Sequence, residues 1–354
     1  MTNLMEQMKK NSTIKSSSSL TKSKIFYDKD NTVTDMPILN LALSGHLDKG
    51  FESGIFMIAG PSKHFKSNLG LVAVRAYMKK NQDAVCLFYD SEFGITPNYV
   101  KSLGIDPDRT FHSPITNIEE LKFDIMKQLE GIQRGQKVII FIDSVGNSAS
   151  KKEVEDALDQ KSVADMSRSR QLKSLWRMIT PHLTLKDIPC VAINHTYMSQ
   201  EFISKTVVSG GTGGEYSSTY IFTLSRAMDK EDGELAGYKF TIDVYKSRHV
   251  KEKSKFRFVV KYDKGINKWS GLLDIALETG HVVKPSNGYY SRPHIKDDKK
   301  WRAAETDKTD FWTTIFKDTD FKEACTKRYA LGQVNLLSFD DDETITDLVD
   351  DDLE

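Results

Sequence analysis

Between residues 36 and 262 the chain alternates short apolar runs with longer stretches whose apolar positions recur every three or four residues. Runs of four to eight rich in Val, Ile and Phe read as strands, and the 3.6-residue period reads as helix. Strands are predicted at 55–59, 85–90, 138–143, 190–194, 220–225, 240–246 and 255–262, and helices at 67–79, 96–103, 117–130 and 162–180. The first four strands are apolar throughout and separated by helices, which predicts a parallel sheet buried on both faces. The last three alternate and follow one another closely, as an antiparallel extension does. Such α/β sheets bind ligands at the carboxyl ends of their strands. Polar residues gather there in this chain: Asp90-Ser91-Glu92, Asp143-Ser144 and Asn194-His195.

The flanks differ. Residues 4–10 carry a short amphipathic pattern, and the serine-rich stretch after it reads as a flexible linker. From Gly271 short segments, an Asn287-Gly288 turn and closely spaced aromatics (Tyr289, Tyr290, Trp301, Phe311, Trp312) indicate a small α/β domain. The expected organisation is an arm and linker at 1–35, a core at 36–268, a small domain at 269–337 and a tail at 338–354. No internal repeat is visible.

Composition narrows the class. Of 354 residues, 39% are hydrophobic and 28% charged, enough for a real core. No stretch approaches the ~18 uncharged apolar residues of a membrane span, and the N-terminus lacks a signal-peptide apolar region. Cys86, Cys190 and Cys325 are far apart, which points to reduced, buried thiols in a cytoplasmic protein. The formal net charge of zero conceals an asymmetry: residues 340–354 hold nine Asp or Glu and no Lys or Arg, leaving 50 basic residues against 41 acidic elsewhere. A basic body with an acidic tail suggests a polyanion-binding surface with a built-in competitor.

The chemistry centres on Gly60-Pro61-Ser62-Lys63-His64-Phe65-Lys66-Ser67-Asn68, set between a predicted strand and a predicted helix. Backbone amides at a helix start form a donor site for phosphate, strengthened by the helix dipole. The spacing from Gly60 to Lys66 is that of G-x-x-x-x-G-K-[ST]: Lys66 would reach the outer phosphates and the Ser67 hydroxyl would ligate Mg²⁺. Phe65 stands where that pattern has its second glycine, so it must either hold the loop at negative φ or bear strain. Asp143 ends a buried strand as a Walker B aspartate would, holding Mg²⁺ beside Ser67, through water. Glu92, with Asp90 as its rival, is the candidate to activate water. His195 is placed to donate a hydrogen bond to a γ-phosphate.

These segments, together with Phe88-Tyr89-Asp90-Ser91-Glu92-Phe93-Gly94 and Lys246-Ser247-Arg248-His249, resemble the RecA-like recombinases of T-even-type bacteriophages, the UvsX type. The resemblance covers about residues 23–332 and accounts for Phe65, since this type carries Phe before the loop lysine. It implies a RecA-type P-loop ATPase that uses ATP and Mg²⁺, assembles with itself as a helical filament on single-stranded DNA, and exchanges strands with homologous duplex. By resemblance Lys66 and Ser67 are the P-loop pair, Glu92 the catalytic glutamate, Tyr99 the adenine-stacking residue, and His195 the counterpart of a glutamine switch. Lys246 and Arg248 would reach the γ-phosphate bound by a neighbouring copy. The two DNA-binding loops would follow Asp143 and Asn194. The first spans 150–167 with Lys151, Lys152 and Lys161, leading to Arg168, Arg170, Lys173 and Arg177. The second spans 196–212 with Met198, Lys205 and the flexible Ser209-Gly210-Gly211-Thr212. The arm, including Lys24-Ile25-Phe26-Tyr27, would dock on the adjacent copy, and the acidic tail would compete with duplex DNA. A loading mediator and a single-stranded-DNA-binding protein are implied as partners, in the cytoplasm of a bacterial host. Two rivals share these motifs: a RecA-fold hexameric helicase, and a filament scaffold or mediator that binds ATP but barely hydrolyses it.

Overall fold

A computed structural model describes residues 2–27, 29–159, 167–199, 205–231, 233–296 and 299–332. The arm carries α1 (Thr2–Asn11) and α2 (Lys24–Tyr27), and α3 (Pro37–Ser44) opens the core. Then follow β1 (Gly54–Ala59), α4 (Lys66–Lys80), β2 (Val85–Asp90), α5 (Pro97–Ser102), β3 (Thr110–Pro114), α6 (Ile118–Gly131) and β4 (Val138–Asp143). After α7 (Lys151–Leu158) and α8 (Ser167–Lys186) come β5 (Pro189–Asn194), a hairpin of β6 (Thr196–Met198) and β7 (Thr206–Val208), and α9 (Thr212–Ser217). The antiparallel part is β8 (Ser218–Glu231), β9 (Glu234–Ser247), β10 (Lys255–Lys261) and β11 (Gly265–Ile266). The last unit holds α10 (Leu272–Glu278), β12 (Val283–Ser286), β13 (Tyr289–Ser291), β14 (Trp301–Arg302), α11 (Thr309–Asp318) and α12 (Phe321–Tyr329).

Among the described residues the main sheet has nine strands in the order β11-β10-β9-β8-β1-β5-β4-β2-β3. From β8 to β3 neighbours are parallel, and from β8 to β11 antiparallel, as the two hydrophobic patterns require. β1, β4 and β5 are buried at every position because helices cover both faces. Register places the functional ends level: Ala59 pairs with Asn194, and Asp90 with Asp143.

Several elements differ from expectation. β3 was not predicted; it is an edge strand with mostly exposed side chains, so it lacks an apolar run. β8 and β9 extend well past 225 and start before 240, because their polar outer halves are tied by Asp229 to Lys239 (3.1 Å) and Lys261 (2.5 Å). Residues 151–158, expected in a loop, form α7, nucleated by a capping box between Ser150 and Glu153. α8 continues through Pro181 to Lys186 rather than stopping at 180. Lys161 and the tail at 338–354 lie outside the described residues.

The C-terminal unit shares one apolar core with the sheet: Tyr329 packs on Phe256 at 4.9 Å, and Leu272, Trp312 and Phe321 join the same cluster as Phe258 and Leu41. The three thiols are buried and unpaired with one another. On α1, Leu4, Met5 and Met8 are exposed, as is Phe26 on α2. Among the described residues no helix is long and apolar enough to cross a membrane.

Candidate nucleotide site and nucleic-acid interface

The loop from Gly60 to Phe65 leaves β1 and feeds α4, which begins at Lys66. Phe65 does not keep negative φ: it sits at φ 64°, ψ 16°, the left-handed conformation a glycine would take. Its ring is turned away from the loop onto Phe240 (5.2 Å between centroids) and Phe258 (6.1 Å). Lys63 is left-handed as well, at φ 60°. His64 is folded onto the Ser62 carbonyl (2.8 Å), so neither His64 nor Phe65 lines the cleft.

A cleft of about 390 Å³ is lined by Ser62, Lys63, Lys66, Ser67 and Asn68 from the loop and first turn, with Glu92, Tyr99, Asp143 and His195 opposite. Lys66 is only 6% exposed, and its ammonium donates to the Pro61 carbonyl at 2.8 Å. Burial lowers its pKa, opposed by the nearby Asp143 and Glu92 carboxylates. Asp143, 3% exposed, has a pKa raised to about 6, chiefly by burial and then by Glu92 and Asp90, despite a hydrogen bond from the Ser67 hydroxyl and the proximity of Lys66. A buried carboxylate crowded by two others and hydrogen-bonded to a hydroxyl suits a divalent cation, and Mg²⁺ needs only one or two protein ligands when phosphates supply the rest.

Asp90 and Glu92 differ in their hydrogen bonding. Asp90 is buried; one oxygen accepts from the Glu92 and Phe93 amides (2.9 and 2.8 Å) and the other faces His112 Nε2 (3.2 Å). Asp90 therefore builds the turn that presents Glu92. The Glu92 carboxylate accepts from Ser144 Oγ (2.8 Å) and lies 3.4 Å from His195 Nε2. Ser91 and Ser144 link the strand ends, with Ser91 Oγ donating to the Ser144 carbonyl (2.9 Å). Sequence reasoning missed this serine pair; the matched Asp-Ser steps after two adjacent strands were the available signal. Tyr99 is held at the rim by donating from its hydroxyl to Asn68 Oδ1 at 2.6 Å.

Asn194 connects the cleft to the second loop. Its side-chain oxygen accepts from the His195 amide (2.8 Å) while its nitrogen donates to the Ser209 carbonyl (2.9 Å). Ser209 also donates its amide to the His195 carbonyl at 2.9 Å. Gly210 and Gly211 hold positive φ in a turn seated on α8, where a Cβ on Gly210 would fall 2.6 Å from Leu172. Ser209 and Gly210 are half-buried there, whereas Gly211 and Thr212 are exposed. The β6–β7 hairpin exposes Tyr197 (55%) and Met198 (60%), with Lys205 beside its second strand. Tyr197, an aromatic adjoining the predicted Met198, was overlooked.

On α8, Arg170, Lys173 and Arg177 are exposed at helical spacing and share a face. Arg168 is not with them. Its guanidinium is half-buried and donates to the carbonyls of Val145 (3.1 Å), Gly146 (2.7 Å) and Ser148 (3.0 Å) and to Ser209 Oγ (3.3 Å). It clasps the two loops together, so its donors are not presented to a polyanion. Lys151 and Lys152 are exposed on α7.

Lys246 and Arg248 are not brought to the cleft. Ser247 pairs with Tyr220 near the start of β8, away from the end of β1 that bears the phosphate loop. Lys246 donates to the Glu215 and Tyr216 carbonyls on α9.

Comparison with known proteins agrees with this architecture. Residues 3–267 match the RecA N-terminal domain, and residues 269–325 match the C-terminal domain of the bacteriophage T4 recombination and repair protein. The recombination and repair protein of enterobacteria phage T4 is 50% identical over 343 residues, 95% of this chain and 88% of that protein. Protein RecA of Paracoccus denitrificans is 28% identical over 258 residues, 72% of this chain and 69% of its own. Protein RecA of Leptospira biflexa is 26% identical over 268 residues, 72% of this chain and 67% of its own. A RecA domain over most of the chain, joined to the T4-type C-terminal domain, places this chain in the RecA family, beside the phage T4 recombination and repair protein.

Proposed function

We propose that this chain is an ATP-driven recombinase that assembles on single-stranded DNA and pairs it with homologous duplex, in DNA repair and recombination-dependent replication of a phage inside its bacterial host. The observation that carries the reading is the level register of Asp90 with Asp143 and of Ala59 with Asn194, which gathers Lys66, Ser67, Glu92 and His195 around one cleft. Loop amides and Lys66 bind the ATP phosphates, and Tyr99 stacks on the adenine. Ser67 and Asp143 would hold Mg²⁺, which would supply charge neutralisation for the phosphates. Glu92, oriented by Ser144, accepts a proton from the attacking water.

His195 shares a hydrogen-bonded unit with Glu92 on one side and, through Asn194, with Ser209 on the other. A γ-phosphate that draws His195 toward itself thereby biases the second loop, and with it Tyr197 and Met198. Stacking of exposed aromatic or Met side chains on bases, with Arg170, Lys173, Arg177 and Lys205 on phosphates, binds a strand without reading sequence. Base pairing is then free to read homology. Lys246 and Arg248 act on the γ-phosphate bound by the neighbouring copy, so ATP binds across the contact between subunits and couples to assembly. The mediator and the single-stranded-DNA-binding protein are proposed as loading partners, and the acidic tail as a competitor of duplex DNA.

The deciding measurement is ATP turnover with and without single-stranded DNA. Stimulation that vanishes in Glu92→Gln, and no turnover in Lys66→Ala, is the expected pattern. Flat trace activity in the unmodified protein overturns the recombinase reading in favour of a scaffold, and unwinding of a duplex without a homologous strand overturns it in favour of a helicase.

A further inference from the structure

Two residues of the phosphate loop, Lys63 and Phe65, hold the left-handed conformation, which is unfavourable for an L-residue. Both meet the same wall. β8 pairs with β1 as far as Thr223 opposite Ala59, then runs on to Glu231 beside the loop. Past that point Arg226 on β8, Phe240 on β9 and Phe258 on β10 stand directly opposite one another, so their side chains share one face of the sheet. Phe65 lies on Phe240 and Phe258. Arg226 Nη1 donates to the Lys63 carbonyl at 2.8 Å, while its guanidinium lies over the Tyr238 ring at 4.5 Å. Tyr238 in turn touches Phe240, with 6.2 Å between centroids, which closes the circuit.

We propose that Arg226 is a positioning residue for nucleotide binding, bracing the Lys63 peptide of the phosphate loop. The peptide unit is planar and trans, so holding the Lys63 carbonyl toward β8 turns the His64 N–H away from it. Arginine suits the task because its flat guanidinium stacks on Tyr238 and donates in its own plane at once; an ammonium cannot do both. The proposal rests on Gly60–Ser67 being the nucleotide loop, and it assigns to a strand remote in sequence the control of that loop's backbone.

The test uses the full-length protein, a fluorescent ATP analogue and ADP with Mg²⁺, and steady-state turnover on single-stranded DNA. Loss of one charge-assisted hydrogen bond in Arg226→Ala weakens both nucleotides about tenfold. KM for ATP rises accordingly, while kcat at saturation stays within about twofold; Arg226→Lys recovers part of the affinity. Glycine takes the left-handed conformation without bracing. In a Lys63→Gly background, therefore, Arg226→Ala costs less than about twofold, which a direct contact between Arg226 and phosphate does not predict. An equal loss in both backgrounds, unchanged affinity in Arg226→Ala, or a fall in kcat alone overturns the proposal. Should Arg226→Ala fail to fold, Tyr238→Leu removes the stack and is read in the same two backgrounds, with the same dependence on Lys63 expected and its absence decisive against the brace. Lys66→Ala separates the two claims: binding retained in that variant defeats the loop assignment, whereas binding lost there but intact in Arg226→Ala defeats only the brace.

Discussion

Replacing Phe65 tests the most unusual feature of the loop. At φ 64° an L-residue bears roughly 1–2 kcal/mol of backbone cost. The Phe240 and Phe258 contacts return roughly 0.5–1.5 kcal/mol each beyond the area they bury, so the two effects nearly offset. Phe65→Gly removes the backbone cost and the ring contacts together, and adds about 0.4–1 kcal/mol of unfolded-state freedom. The balance is a loss of about 1–2 kcal/mol of stability before the lost burial of the ring is added, which deepens it equally for glycine and alanine to a first approximation. Phe65→Ala loses the same ring contacts but keeps the left-handed cost, so it falls lower by about 1 kcal/mol. The expected order of stability is wild type, then glycine variant, then alanine variant. ATP affinity should follow the backbone: near normal with glycine, reduced with alanine. Urea unfolding of the nucleotide-free protein at one fixed low concentration, which removes self-association as a variable, measures the first; titration with an ATP analogue measures the second. An alanine variant as stable as the glycine variant, with equal affinity, refutes the argument.

Further predictions concern the carboxylate, the interface and the DNA face. Asp143 has a folded-state pKa of about 6 against an ordinary 3.8, so its favourable contribution to folding is fully present below the ordinary value and is lost as pH rises through 6. Asp143→Asn should accordingly stabilise the nucleotide-free protein at pH 8 by up to about 3 kcal/mol while abolishing ATP hydrolysis, the gain shrinking toward pH 4; thermal melts across that range decide it. In the unmodified protein Mg²⁺-dependent ATP binding should weaken as pH falls below 6, when that carboxyl takes up its proton. If Lys246 and Arg248 serve a neighbour, as proposed, a Lys246→Ala/Arg248→Ala variant mixed with Lys66→Ala should regain turnover that neither shows alone; a mixture as inactive as its parts contradicts sharing. Replacing Arg170, Lys173 and Arg177 by Ala should flatten the dependence of log affinity for single-stranded DNA on log salt by about 0.7 for each phosphate left unneutralised, and an unchanged slope places the DNA elsewhere. Arg168→Ala should instead disturb both loops and the stability of the fold.

Residues that face their own neighbours in sequence were legible. β2 and β4 occupy the predicted 85–90 and 138–143: apart from the exposed Val85 they are buried, and each closes on the aspartate that ends its apolar run. The cleft residues were legible for the same reason: a polar side chain just beyond a buried strand has only the carboxyl edge of the sheet to occupy. α7 was hidden because its hydrogen-bonded cap, rather than an apolar stripe, starts it. Arg168 could not be told from Arg170 because a basic helix face reads alike whether it meets solvent or the carbonyls of a packed loop.

The sequence by itself determined the parallel sheet, the phosphate loop between strand and helix, and the carboxylates at the strand ends, since all follow from local period and spacing. Tertiary structure decided which conformation that loop takes without its second glycine. Phe65 takes the left-handed conformation because Phe240 and Phe258, far away in sequence, receive its ring, and Arg226 receives the Lys63 carbonyl. Tertiary structure also distinguishes Asp90 from Glu92, by committing Asp90 to two amides and His112. Local pattern sets which atoms are available, but the energy that selects among their conformations comes from contacts that exist only once distant strands lie side by side.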